Sequence, residues 1–199
     1  MHISHNESKN NTTGVLLAGG KSLRMGQDKA RIEVNGKPLL TRSLKLLRRH
    51  FPSVLIAGDR PDLATADIPA IPDIYPGSAL GGLYTGLKSA QTNWIFVAPC
   101  DMPYPDVKIL ELLLMHRNDA DAVVPKTPQG YEPVFALYHK NCLPHMEEML
   151  QQGQYRIYDF YQRIKVHYLD WSQMPTGWER SLRNINTPEQ LEQLQKEQT

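Results

Sequence analysis

No run of the chain comes near the ~18 consecutive apolar residues that a membrane-spanning helix requires, and the polar opening from Met1 to Thr12 lacks the apolar core of a secretory leader. A cytoplasmic protein with a flexible N-terminal tail over residues 1–12, and no membrane partner, is therefore expected. Excess charge is missing as well, with 22 Lys and Arg against 21 Asp and Glu and a formal net charge of +1. So small an imbalance provides no broad basic field, which argues against nucleic acid as a partner. Any polyanion contact has to be local. Cysteine is scarce: Cys100 and Cys142 stand far apart, in no CxxC or Cys/His spacing, and read as reduced thiols rather than zinc ligands. Two nucleotide signatures are absent too. Gly20-Lys21-Ser22 resembles the end of a P-loop, but the pattern needs glycine at the position of Val15, and no G-x-G-x-x-G occurs in its place.

The 199 residues, 41% of them hydrophobic, suffice for one domain with a closed core. From Thr13 onward, short apolar runs alternate with amphipathic stretches. Gly14 to Ala18, Val54 to Ala57, Trp94 to Ala98 and Ala122 to Val124 are continuously apolar, as strands covered on both faces are. Helices are expected from Pro38 to about His50, Leu80 to Ala90 and Asp106 to His116. This alternation predicts an α/β sandwich with a mainly parallel sheet, in which ligands bind at the carboxyl ends of strands. After Tyr131 the spacing changes. Pro133 to Tyr138 reads as a strand, Asn141 to Gln151 as a helix and Ile164 to Leu169 as a later strand, and this half is expected to serve an acceptor. Thr187 is placed to cap a closing helix from Pro188 to about Lys196. A single domain over residues 13–199 follows.

Chemistry concentrates in three loops. Leu17-Ala18-Gly19-Gly20-Lys21-Ser22-Leu23-Arg24-Met25-Gly26-Gln27-Asp28-Lys29 leaves a buried strand with three glycines and several cations. Glycines let main-chain N–H groups approach a ligand, and Arg24 and Lys29 are suited to phosphate oxygens, so the loop reads as a triphosphate cradle. A glycine-rich basic surface loop without a ligand is the alternative. Asp101, directly after the run Phe96 to Ala98, stands where a carboxylate holds a hard cation such as Mg²⁺; a turn or helix-capping aspartate is the alternative. In Pro72-Asp73-Ile74-Tyr75-Pro76-Gly77-Ser78-Ala79-Leu80-Gly81-Gly82, the paired glycines at a helix start suit close approach to a ligand, and Asp73 can accept from a base or ribose.

Taken together, LAGGKSLRMGQDKA, PDIYPGSALGGL, APCDMP, EPVFALY and NINTP resemble the ordered motifs of the molybdenum cofactor guanylyltransferases, over residues 13 to about 195. The first motif alone is shared with a wider group of nucleotidyltransferases; Cys-Asp-Met-Pro, Glu-Pro-Val-Phe and Asn-x-Asn-Thr-Pro narrow it. The resemblance implies a three-layer, Rossmann-like sandwich of the nucleotide-diphospho-sugar transferase type. It also implies transfer of GMP from GTP to molybdopterin, with pyrophosphate released and Mg²⁺ as cofactor. Leu17, Ala18, Gly19, Gly20, Lys29, Asp73 and Asp101 would then meet the nucleotide, with Lys29, Asp101 and Arg24 catalytic. Asp101 and Asn186 would lie at the metal, and Gly81, Gly82 and Arg156 at the acceptor, with position and charge alone also pointing to Tyr155 and Arg163. A molybdenum-insertion protein and apo-molybdoenzymes are the further partners implied. Ser78-Ala79 replaces a common Gly-Pro, which leaves that loop's shape open. Two rivals remain at this stage: a cytidylyltransferase of molybdopterin or of a small phosphorylated acceptor, and a cofactor-delivery protein without turnover.

Overall fold

A computed structural model describes residues 9–19, 28–34 and 36–197. Its sheet is built around β1 (Thr12–Leu17), flanked in parallel by β4 (Val54–Ala57) and β6 (Trp94–Pro99). Beyond β4 lies β5 (Ala70–Ile71), also parallel. Beyond β6 comes β9 (Ala136–His139), antiparallel, then β7 (Ala122–Thr127) and β10 (Val166–Asp170), which run parallel to each other. The order is β10-β7-β9-β6-β1-β4-β5, with β8 (Gly130–Tyr131) paired to the end of β7. A small hairpin of β2 (Glu33–Val34) and β3 (Lys37–Pro38), which the apolar pattern did not suggest, stands apart from the sheet.

Both faces of the sheet are covered, which is why its strands read as continuous apolar runs. Leu16, Ile56, Phe96 and Leu137 pack with α1 (Leu39–His50) and α3 (Val107–Met115). Their neighbours in sequence, Val15, Leu55, Val97 and Ala136, pack on the opposite side with α2 (Ala79–Ser89), α4 (Leu143–Gln151) and α5 (Ile157–Phe160). Burying each such Leu, Ile, Val or Phe is worth roughly 1.5–3 kcal/mol. Two short elements complete the chain, α6 (Trp178–Ser181) and α7 (Pro188–Lys196), the second opened by a capping box between Thr187 and Gln190. Among the described residues no helix is long and apolar enough to cross a membrane.

Two expected boundaries move. β1 begins at Thr12, whose side chain is buried, and Lys9 reaches Glu111 at 3.7 Å, so residues 9–12 pack with the domain rather than with the expected tail. The strand expected from Pro133 starts only at Ala136. Pro133 has no N–H for a ladder, and Phe135 donates instead to the Glu132 carbonyl at 3.2 Å, making residues 132–135 a turn.

Candidate active site

The carboxyl ends of β1, β4 and β6 share one edge of the sheet, and Gly19 and Asp101 follow β1 and β6 there. Leaving β1, the Ala18 N–H donates to the Ala57 carbonyl at 3.0 Å, and the Gly58 N–H donates to that of Ile71 at 2.9 Å. These bonds bring three chain segments together so tightly that side chains have no room. A Cβ on Gly19 would lie 2.5 Å from Asp73 Oδ2, and one on Gly58 would lie 2.6 Å from the Gly19 nitrogen. Asp73 Oδ1 is buried and has no hydrogen-bond partner among the described residues. Burial, with the charge of Asp59 second, raises its pKa. A buried acceptor without a donor costs about 1–3 kcal/mol, so this oxygen is set to receive one from a ligand.

The start of α2 closes the other side of this cradle. Ser78 caps the helix, its Oγ accepting from the Gly81 N–H at 3.0 Å, so the departure from the family's Gly-Pro supplies a cap. A Cβ on Gly82 would fall 3.6 Å from both Asp73 Oδ1 and Leu17 Cδ2, while one on Gly81 would land on the Tyr75 carbonyl oxygen. The protein groups against these two glycines, expected at the acceptor, are Asp73, Leu17 and Tyr75. Gly81→Ala is expected to destabilise the fold by about 1–3 kcal/mol or more by forcing Tyr75 away from the helix. Thermal melts check this, and a melt equal to the parent's would show that the loop yields freely.

Of the first loop, Gly20, Arg24 and the side chain of Lys29 lie outside the described residues. Its far end is anchored. Asp28 receives Arg60 Nη2 at 2.6 Å, Arg60 and Arg31 converge on Asp62 at 2.9 and 2.8 Å, and Asp28 Oδ1 accepts from the Ala30 N–H at 3.1 Å. The aspartate of the Asp28-Lys29 pair thus fixes the chain that carries Lys29, a role its sequence context did not reveal.

Asp101 sits on a loop held through its main chain. Ser43 Oγ donates to the Pro99 carbonyl at 2.7 Å, Arg42 to that of Pro103 at 3.0 Å, and the Ile185 N–H to that of Asp101 at 2.9 Å, while Met102 is fully buried. Beside Asp101 stands Glu132, a residue that its motif contains but to which sequence reasoning gave no role. The turn at residues 132–135 carries it there, because β9 lies between β6 and β7 and Phe135 packs edge-on against Phe96 with centroids 4.9 Å apart. Burial, with the Asp101 charge second, pushes the Glu132 carboxyl up to about 7. Crowded like charges of this kind are relieved by a cation.

Asn186, expected near the metal, is exposed, and its N–H donates to Gln190 Oε1 at 2.6 Å. The buried oxygen of that motif without a partner among the described residues is Oδ1 of Asn184, adjacent to the Ile185 tie to Asp101. In the acceptor half Arg156 is exposed at the start of α5. Arg163, another acceptor candidate by charge, is instead paired with Glu148 at 3.2 Å and bonded to Gln154 at 3.3 Å.

The model of the MobA-like NTP transferase domain matches residues 14–166. The chain belongs to this family. A molybdenum cofactor guanylyltransferase of Vibrio atlanticus (strain LGP32) is 35% identical over 188 residues, covering 92% of this chain and 95% of the relative. A probable molybdenum cofactor guanylyltransferase of Pelotomaculum thermopropionicum is 32% identical, covering 90% and 89%. The crystal structure of molybdopterin-guanine dinucleotide biosynthesis protein A from Archaeoglobus fulgidus shares the fold, with a TM-score of 0.80 at 23% identity over 92% of this chain and 97% of that one. The expected α/β nucleotidyltransferase fold of the family is borne out.

Proposed function

We propose that this nucleotidyltransferase moves GMP from GTP to the terminal phosphate of molybdopterin, forming molybdopterin guanine dinucleotide and pyrophosphate. The full-length likeness to molybdenum cofactor guanylyltransferases supports the reaction. The observation that carries the site is the buried, unpartnered Asp73 Oδ1 among Gly19, Gly82 and Leu17. An ionised carboxylate there accepts N–H or O–H donors of the nucleoside, and the nucleotide contacts of this reading are Leu17, Ala18, Gly19 and Gly20, with no Cβ at Gly19 to obstruct them.

The divalent ion in this reading is Mg²⁺. Among the described residues no three His, Cys, Asp or Glu side chains gather into a ready-made cage, which suits a cation that binds one or two carboxylates and takes its other ligands from phosphate and water. Asp101 and Glu132 supply the carboxylates, and the orphaned Asn184 oxygen is a third donor of the right kind. When bound, Mg²⁺ neutralises phosphate charge. Arg24 and Lys29 hold the triphosphate, and Arg156 meets the anionic acceptor. An acceptor phosphate oxygen then displaces pyrophosphate in line at the α-phosphorus. That phosphate is largely ionised near neutral pH, so catalysis consists of positioning and charge compensation. The N-terminal half thus serves GTP and the C-terminal half the acceptor. In the cytoplasm, a molybdenum-insertion protein supplies the acceptor and apo-molybdoenzymes take the product.

The deciding measurement is a competition panel of GTP, CTP and ATP with Mg²⁺, combined with pyrophosphate release in the presence of molybdopterin. GTP is expected to bind ahead of the others and to release pyrophosphate. Preference for CTP would make the protein a cytidylyltransferase, and binding without release would make it a delivery protein.

A further inference from the structure

The acceptor half gathers tyrosines at one place on the ligand-binding edge of the sheet. Tyr131 stacks on Tyr168 of β10, with ring centroids 4.7 Å apart and planes 25° from parallel, and Tyr158 of α5 leans on Tyr131 at 5.8 Å. The base of this group is fixed. Tyr161 lies 6.1 Å from Tyr131, its hydroxyl is 2.7 Å from that of buried Tyr138, and Tyr138 donates to the Pro133 carbonyl at 2.8 Å. The rim is not covered: Tyr158 is 47% exposed and Tyr155 is 52% exposed, with exposed Arg156 between them in sequence.

Position gives this patch its meaning. Tyr131 pairs with Lys126 at the carboxyl end of β7 and directly precedes Glu132, whose carboxyl feels the charge of Asp101. One extended residue spans about 3.3 Å, so the main chain that carries the ring group adjoins, one residue on, a residue proposed to hold the cation. The ring group also lies on the far side of Asp101 from Asp73: β5, β4 and β1 lie on one side of β6, and β9, β7 and β10 on the other. A ligand reaching from Asp101 to the tyrosines would carry its phosphate at one end and a flat ring at the other. Half-exposed rings on a rigid aromatic base suit a flat, conjugated heterocycle, because stacking needs a π-face held in place and free on one side.

We infer that Tyr158, backed by Tyr131, is the stacking platform for the fused heterocycle of the acceptor, with Arg156 meeting its anionic groups. This rests on the proposed reaction and adds the surface that orients its second substrate. Tyrosine is required here for its ring and not for its hydroxyl.

The test compares Tyr158→Ala, Tyr158→Phe and the parent, all as full chains, by GMP-transfer kinetics with molybdopterin, by calorimetric GTP titration and by quenching of pterin fluorescence without nucleotide. Loss of one stacked ring is expected to raise the acceptor KM of Tyr158→Ala about 5- to 100-fold. GTP affinity and thermal melt should match the parent, pterin quenching should weaken in parallel, and Tyr158→Phe should behave as the parent does. An unchanged acceptor KM in Tyr158→Ala, or equal damage in the phenylalanine variant, overturns the platform while leaving the reaction intact. If the parent itself transfers no GMP, the proposed reaction falls. Pterin quenching then still judges the platform: equal quenching by parent and alanine variant overturns it.

Discussion

Asp101→Ala is expected to lose at least about 10²–10³-fold in GMP transfer while remaining folded. The loop that presents this residue is held largely through its main chain. Ser43, Arg42 and the Ile185 N–H all bond to main-chain oxygens of the segment, and Met102 anchors it in the core. What the substitution removes is charge at the point where phosphates are proposed to meet the cation. Glu132 remains, but one carboxylate that burial already pushes toward its neutral form is a poor replacement. Calorimetric Mg²⁺ binding beside transfer rates separates the two roles. A folded variant with near-parental, Mg²⁺-dependent turnover would remove Asp101 from the metal site.

The sheet was readable from the sequence because its strands are buried on both faces: Val54 to Ala57 coincides with β4, and Trp94 to Ala98 differs from β6 by one residue. Capping chemistry was equally legible at Thr187, where the side chain, Pro188 and the following turn all favour a helix start. The site was less so, since its decisive features are contacts between distant segments. Nothing near Glu132 announces that a turn places it beside a residue 31 positions earlier. Nor does the sequence of NINTP distinguish Asn184, whose oxygen is buried, from Asn186, which faces solvent. Gly81 and Gly82 show the same limit from the other direction. Their need for space was evident, but which protein groups stand against them, Asp73 and Tyr75, is a matter of tertiary packing.

Gly19→Val is expected to abolish detectable GTP binding, while Gly153→Val costs stability and leaves GTP affinity unchanged. The two glycines are needed for different reasons. Gly153 has φ +71° just after α4, where its N–H donates to the Leu150 carbonyl at 3.1 Å and that of Gln154 to the Met149 carbonyl at 2.8 Å, closing the helix end. A Cβ there meets nothing within 4 Å. Its penalty is backbone strain alone, roughly 1–2 kcal/mol for a side chain held in the left-handed region. Gly19 is not among the positive-φ glycines, so strain of that kind does not arise. Its constraint is space: the new Cβ would sit 2.5 Å from Asp73 Oδ2 and 3.6 Å from the Gly58 Cα. Valine must therefore displace the Asp73 carboxylate, and its two methyl groups would fill the volume proposed for the nucleotide. The displacement costs about 1–3 kcal/mol of stability by overpacking, but binding suffers more, because both the acceptor oxygen and the room beside it are lost. Calorimetric GTP titrations beside thermal melts of the two variants make the comparison. Parental GTP affinity in folded Gly19→Val would place the nucleotide elsewhere on the sheet edge and would remove Asp73 from its proposed role.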